Sequence, residues 1–167
     1  MTQQTVAGRT NSVLAGTHSA APEFAVRFTG ALLAVAVATV HVADQGGITA
    51  MASPAWIGWG YRLIEIGAIL TALILLLPGG ARPGPVRIGP VSLGPAWFGP
   101  ASLGWAAGVL LGAGPFIGYV ASRSVGVPGD PGDVGNWGYW VGTVSLLVEA
   151  ALVLLSVGML LAVRQRR

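Results

Sequence analysis

The chain has 167 residues, 53% of them apolar and only 9% charged, with a net charge of +3, where an average soluble domain is about 25% charged. A mean hydropathy of +0.71 excludes a disordered chain and a polar-surfaced globule, because a soluble domain of this length has too little interior to hide so much hydrocarbon. The absence of cysteine excludes disulfides, thiolate metal sites and iron–sulfur clusters held by this chain alone.

Residues 1–24 are small and polar, and the apolar patch from Ser12 to Gly16 is too short for a secretory signal, so the sequence predicts a flexible cytoplasmic tail. Beyond it, four stretches reach the ~20 apolar residues that a helix needs to cross ~30 Å of hydrocarbon, at 26–45, 56–77, 101–122 and 137–163. None alternates strictly as a lipid-facing barrel strand would. The predicted fold is an all-α membrane protein, one four-transmembrane-helix bundle spanning 25–167.

With four spans, both termini and the connector 78–100 share one side. Arg9, Arg27, Arg82, Arg87, Arg164, Arg166 and Arg167 fall on that side and only Arg62 and Arg123 on the other. The positive-inside rule then makes both termini cytoplasmic in a multi-pass cell-membrane protein. The basic excess is orientation charge, so no nucleic-acid partner is expected. Trp56, Trp59, Trp137, Tyr139 and Trp140 would form an outer aromatic belt, with Trp97 and Trp105 at the inner boundary.

The first span carries Gly30, Ala34, Val37, His41 and Asp44 within about 40° of one direction, with Gln45 about 60° away, at 100° per residue. In the second, Arg62 and Glu65 stand three apart, close enough to pair, with Ala68 and Ala72 continuing that side. The connector then repeats Gly-Pro every five residues, at Gly84, Gly89, Gly94 and Gly99. Proline lacks the N–H donor and restricts the preceding residue, so a turn-like path is expected until Pro100 is passed.

The third span reads Gly104-x-x-x-Gly108-x-x-x-Gly112, then Gly114-x-x-x-Gly118 across Pro115. Small residues at this spacing let helix backbones approach closely, which predicts a helix-packing ridge. On the fourth span Gly138, Gly142, Ser145, Glu149 and Ser156 share a narrow polar face. Asp130, Asp133 and Asn136 precede it among Pro and Gly, where turn-making accounts for them.

Glu65 and Glu149 both lie roughly 13 to 15 Å in from the outer belt, near the midplane. An intramembrane carboxylate costs about 2.5 to 3.5 kcal/mol on insertion scales, so these groups should face inward. His41, Asp44, Arg62, Glu65 and Glu149 are therefore the candidate polar layer. Its structural reading is an interhelical network that fixes register; its functional reading is a site that relays protons, holds a solute or works as acid and base.

No Glu-x-x-His pair, phosphate-cradling glycine loop or nucleophile elbow occurs, so no metal or cofactor is expected. The leading functional expectation is a non-enzymatic subunit or scaffold, a homo-oligomer or partner of other membrane subunits, acting through its glycine ridge in the lipid bilayer. The alternatives are a proton- or solute-coupled transport component using the polar layer, and a membrane enzyme acting on an isoprenoid, quinone or lipid.

Overall fold

The computed structural model describes residues 20–77, 86–88, 91–93 and 99–165. Within them lie four long helices, α1 (Ala20–Asp44), α2 (Ala55–Leu76), α3 (Pro100–Ser124) and α4 (Trp140–Gln165). All four are long and apolar enough to cross a membrane. They run up and down in sequence order, α1 against α2 and α4, α3 against α2 and α4, while the diagonal pair α1 and α3 barely touches.

The bundle has small residues at its centre and large apolar residues outside. Ala31, Ala34, Ala68 and Ala72 are buried, together with Gly104, Gly108 and Gly112. Leu63, Leu110 and Leu154 are 71%, 74% and 74% exposed. A water-soluble bundle would reverse that arrangement; in hydrocarbon it is the stable one, because close backbone approach supplies the dispersion contacts that lipid cannot.

The glycine ridge of α3 divides between two uses. A Cβ at Gly104 would meet Leu75 Cδ2 of α2 at 2.8 Å, one at Gly108 would meet Ser156 Oγ of α4 at 2.5 Å, and one at Gly112 would meet the Glu149 carbonyl at 2.7 Å. These three let α2 and α4 close on α3. Gly114 and Gly118, expected to continue the ridge, instead face open space with nothing within 4 Å.

Four sequence expectations need correcting. The helical path begins at Ala20, inside the expected tail 1–24, because Pro22 is tolerated in a first helical turn, where N–H groups lack partners anyway, and Glu23 suits the positive end of the dipole; residues 1–19 lie outside the described residues. The last helix begins at Trp140 rather than 137, since Gly135 takes a left-handed φ of 80° and the Trp137 amide bonds the Gly135 carbonyl. Trp105 is not a boundary anchor but is fully buried. Its ring lies where a Cβ at Gly30 would come within 2.6 Å, so Gly30 of α1 makes the room for it.

The fourth concerns the connector, which is not turn alone. Strands β1 (Val86–Ile88) and β2 (Val91–Leu93) pair antiparallel, Val86 with Leu93 and Ile88 with Val91. The five-residue period matches the offset between these two strands, which start at Val86 and Val91. Trp97 and the rest of the connector's Gly-Pro repeats, apart from Gly99-Pro100, lie outside the described residues.

Arg27, near the start of α1, is buried and caps a neighbouring helix. Its Nε donates to the Leu75 carbonyl at 2.7 Å and its guanidinium also donates to the Leu77 carbonyl. The last carbonyls of a helix have no intrahelical donor, so a cation placed there satisfies them and opposes the negative end of the dipole.

Candidate functional site: a side cavity with a polar wall

Between α2 and α3, where Gly114 and Gly118 withhold side chains, the bundle contains a cavity of about 950 Å³. Apolar side chains of both helices, among them Ile64, Leu70, Leu110 and Leu111, form most of its wall. Leu63, Leu70 and Leu110 line it and are also more than half exposed. The cavity therefore opens sideways, between outward-facing side chains.

At the end carrying Asp44 and Arg123 the cavity is roofed by two loops. The Trp56 indole N–H donates to the Pro128 carbonyl at 3.1 Å, tying the start of α2 to the α3–α4 loop. A Cβ at Gly129 would lie 2.9 Å from Pro54 Cγ, so the two loops are also in direct apolar contact.

The candidate polar layer resolves into three groups. In the first, Glu149 is 1% exposed, and its Oε1 accepts a 2.5 Å hydrogen bond from Ser145 and lies 3.6 Å from His41 Nε2. His41 Nδ1 is 2.9 Å from the Val37 carbonyl. A carbonyl can only accept, so Nδ1 carries the hydrogen and Nε2 is the nitrogen turned to Glu149. Glu149 Oε2 is buried without a hydrogen-bond partner among the described residues.

The second group joins Asp44 to tyrosines. Tyr61 donates its hydroxyl hydrogen to Asp44, and the His41 and Tyr61 rings lie 5.4 Å apart. Tyr139, just before α4, is held up to about 12 by hydrogen bonding to Asp44, aided by partial burial. The third group pairs Arg62 with Glu65 at 2.6 Å; Gln45 also donates to Glu65, and Arg62 donates to the Ala50 carbonyl. His41, Asp44 and Glu149 line the cavity, whereas Arg62 and Glu65 stand outside its wall. Glu149 thus has His41 and Ser145 as neighbours rather than the Arg62 pair, because α4 packs on α1 and α3 and not on α2.

Sequence reasoning overlooked a further cluster. Arg123 pairs with Asp133 of the α3–α4 loop, and its guanidinium lies 4.7 Å above the Tyr119 ring and 5.9 Å from that of Tyr139. The available signal was spacing: Tyr119 and Arg123 are four apart on one helix face, which brings an aromatic and a cation together. Tyr119 itself lies against Gly142, where any Cβ would overlap its ring. The Tyr119 hydroxyl and Arg123 Nε are buried without partners among the described residues.

No family of known proteins, curated protein or solved structure matches the chain. The functional reading therefore rests on this geometry: an apolar chamber, open at its flank, with a buried carboxylate and imidazole on one wall and an aromatic and charged cluster at one end.

Proposed function

We propose that this small membrane protein, with both termini cytoplasmic, takes a lipid-soluble molecule from the bilayer into the cavity between α2 and α3. The cavity itself carries the reading: its ~950 Å³ lies within the roughly 300 to 1,000 Å³ typical of ligand sites, and it combines apolar walls with a few convergent polar groups. Its flank opening faces the solvent such a molecule would come from. The glycine ridge supports a partner-binding subunit less well, because Gly104, Gly108 and Gly112 are already covered by α2 and α4 of the same chain.

The test is to purify the protein in a mild detergent and identify co-purifying lipid-soluble molecules by mass spectrometry. Gly118→Leu should place a side chain in the open space and lose them with the fold retained. Equal recovery from both proteins, or nothing bound to either under any extraction condition, would refute the reading. The orientation follows the arginine asymmetry: reporter fusions at Gly80 and after Arg167 should read cytoplasmic and one at Gly129 external, and the reverse pattern would overturn it.

A further inference from the structure

We infer that the cavity is built for a hydrophobic cation, an amine or onium group on an apolar body, with the Glu149 carboxylate as its counter-ion. This rests on the ligand-binding reading above and adds the charge of the ligand.

Four carboxylates line the cavity, Asp44, Asp130, Asp133 and Glu149, against one guanidinium, Arg123. Arg123 is committed to Asp133, which leaves three carboxylates with no arginine within ion-pair distance among the described residues. Glu149 is the decisive one. It is 1% exposed, its Oε1 is engaged by Ser145 and faced by His41, and its Oε2 has no partner. A buried acceptor left unpaired is costly, and a positive charge held in the cavity beside this carboxylate offsets part of that cost. An anionic ligand would add negative charge to a wall that already carries three carboxylates without an arginine partner among the described residues.

The wall around that carboxylate suits the rest of such a molecule. Tyr61, Tyr119, Tyr139 and Trp56 line the same space, and aromatic faces attract cations, more strongly once both are out of water. Leu110, Leu111 and Ile64 offer hydrocarbon to the apolar body. Tyr119 packs on Gly142, and Gly142 lies seven residues before Glu149 on α4. The aromatic end and the carboxylate are thus about 10 Å apart along the bundle at 1.5 Å per residue, a separation one amphiphilic molecule spans.

The experiment compares two ions of the same shape and opposite charge, tetraphenylphosphonium and tetraphenylborate, by equilibrium binding to the full chain in lipid nanodiscs, with empty nanodiscs as the partition blank. The cation should bind above the blank and the anion should not. Glu149→Gln should weaken cation binding by at least about tenfold, because truncating one partner of a buried charge pair costs more than the ~1.4 kcal/mol that tenfold represents. Arg164→Ala, at the exposed end of α4 and outside the cavity wall, should leave it unchanged. Equal binding of both ions, preferential binding of the anion, or cation binding unaffected by Glu149→Gln in a folded variant would overturn the inference. The wild-type comparison needs no variant, so it decides even if Glu149→Gln fails to fold. If neither ion binds while a neutral lipid co-purifies in a Gly118→Leu-sensitive manner, the cation inference falls and the cavity reading stands; if nothing binds, both fall.

Discussion

Replacing Gly112 by alanine and, separately, Gly118 by alanine applies one chemical change at two points of α3. A Cβ at Gly112 would lie 2.7 Å from both the Glu149 carbonyl oxygen and Val153 Cγ2, whereas one at Gly118 meets nothing within 4 Å. Each variant gains the same ~0.8 to 1 kcal/mol of helix propensity, the difference between glycine and alanine inside a helix. Only Gly112→Ala adds overlap. Normal contact begins near ~3.5 Å, so α4 has to retreat by roughly 0.8 Å. The obstacle is backbone and cannot rotate aside. Overpacking of this kind costs about 1 to 3 kcal/mol. Because the propensity gain cancels in the comparison, Gly112→Ala should be less stable than Gly118→Ala by about that amount. Reversible unfolding in mixed detergent micelles, followed by far-ultraviolet circular dichroism, measures it. Equal stabilities, or the opposite order, would refute the close α3–α4 contact at Gly112 and the open space at Gly118.

Arg62→Ala and Glu65→Ala should each destabilise the protein, and the double variant should lose less than their sum by about 0.5 to 3 kcal/mol, the coupling of residues in contact; strict additivity would show that they do not pair. Arg27→Met should cost about 1.5 to 3 kcal/mol, the range for a hydrogen bond to a charged group, and should speed amide hydrogen exchange in the last turn of α2 while leaving its first turn unchanged. The Tyr139 phenol should titrate near 12, and Asp44→Asn should bring it down towards 10, as isotope-labelled tyrosine NMR can resolve. Its folded value is raised, so the stabilisation it brings is complete below about 10 and is lost as pH climbs through about 12; a Tyr139→Phe variant should lack that alkaline loss.

The spans and their inward faces were legible in the sequence because both follow from a period of 3.6 residues. His41 shares a face with Gly30, Ala34 and Val37, and all four are buried, while Asp44 at the end of that face is half-buried; Glu149 shares one with Gly142, Ser145 and Ser156, all buried, whereas Gly138 precedes the helix and is exposed. The Arg62–Glu65 proximity was legible because both residues sit on one helix. Contacts between helices were not, since periodicity fixes which way a residue faces but not which helix it meets. Hence Glu149 faces His41 rather than Arg62. Trp105 illustrates a different limit. Near the end of a hydrophobic run a tryptophan reads as an interfacial anchor, and only the recess left by Gly30 on another helix turns it inward. The Arg123–Asp133 pair was hidden because it joins a helix end to a loop, and loop paths leave no periodic trace.

Trp105 and Leu75 are fully buried, and they lie just past Ala107 and Ile74, where the cavity lining ends along α3 and α2. The protein is thus solid over one part of its length and hollow over the other. A through-going channel needs a continuous lumen, and here the tryptophan closes it like a bung. A molecule held in the proposed site beside Glu149 would depart by the flank through which it entered. On the proposed reading a single chain is a berth with one harbour mouth, suited to holding or presenting a guest, and carriage across the bilayer would first require Trp105 to leave its seat against Gly30.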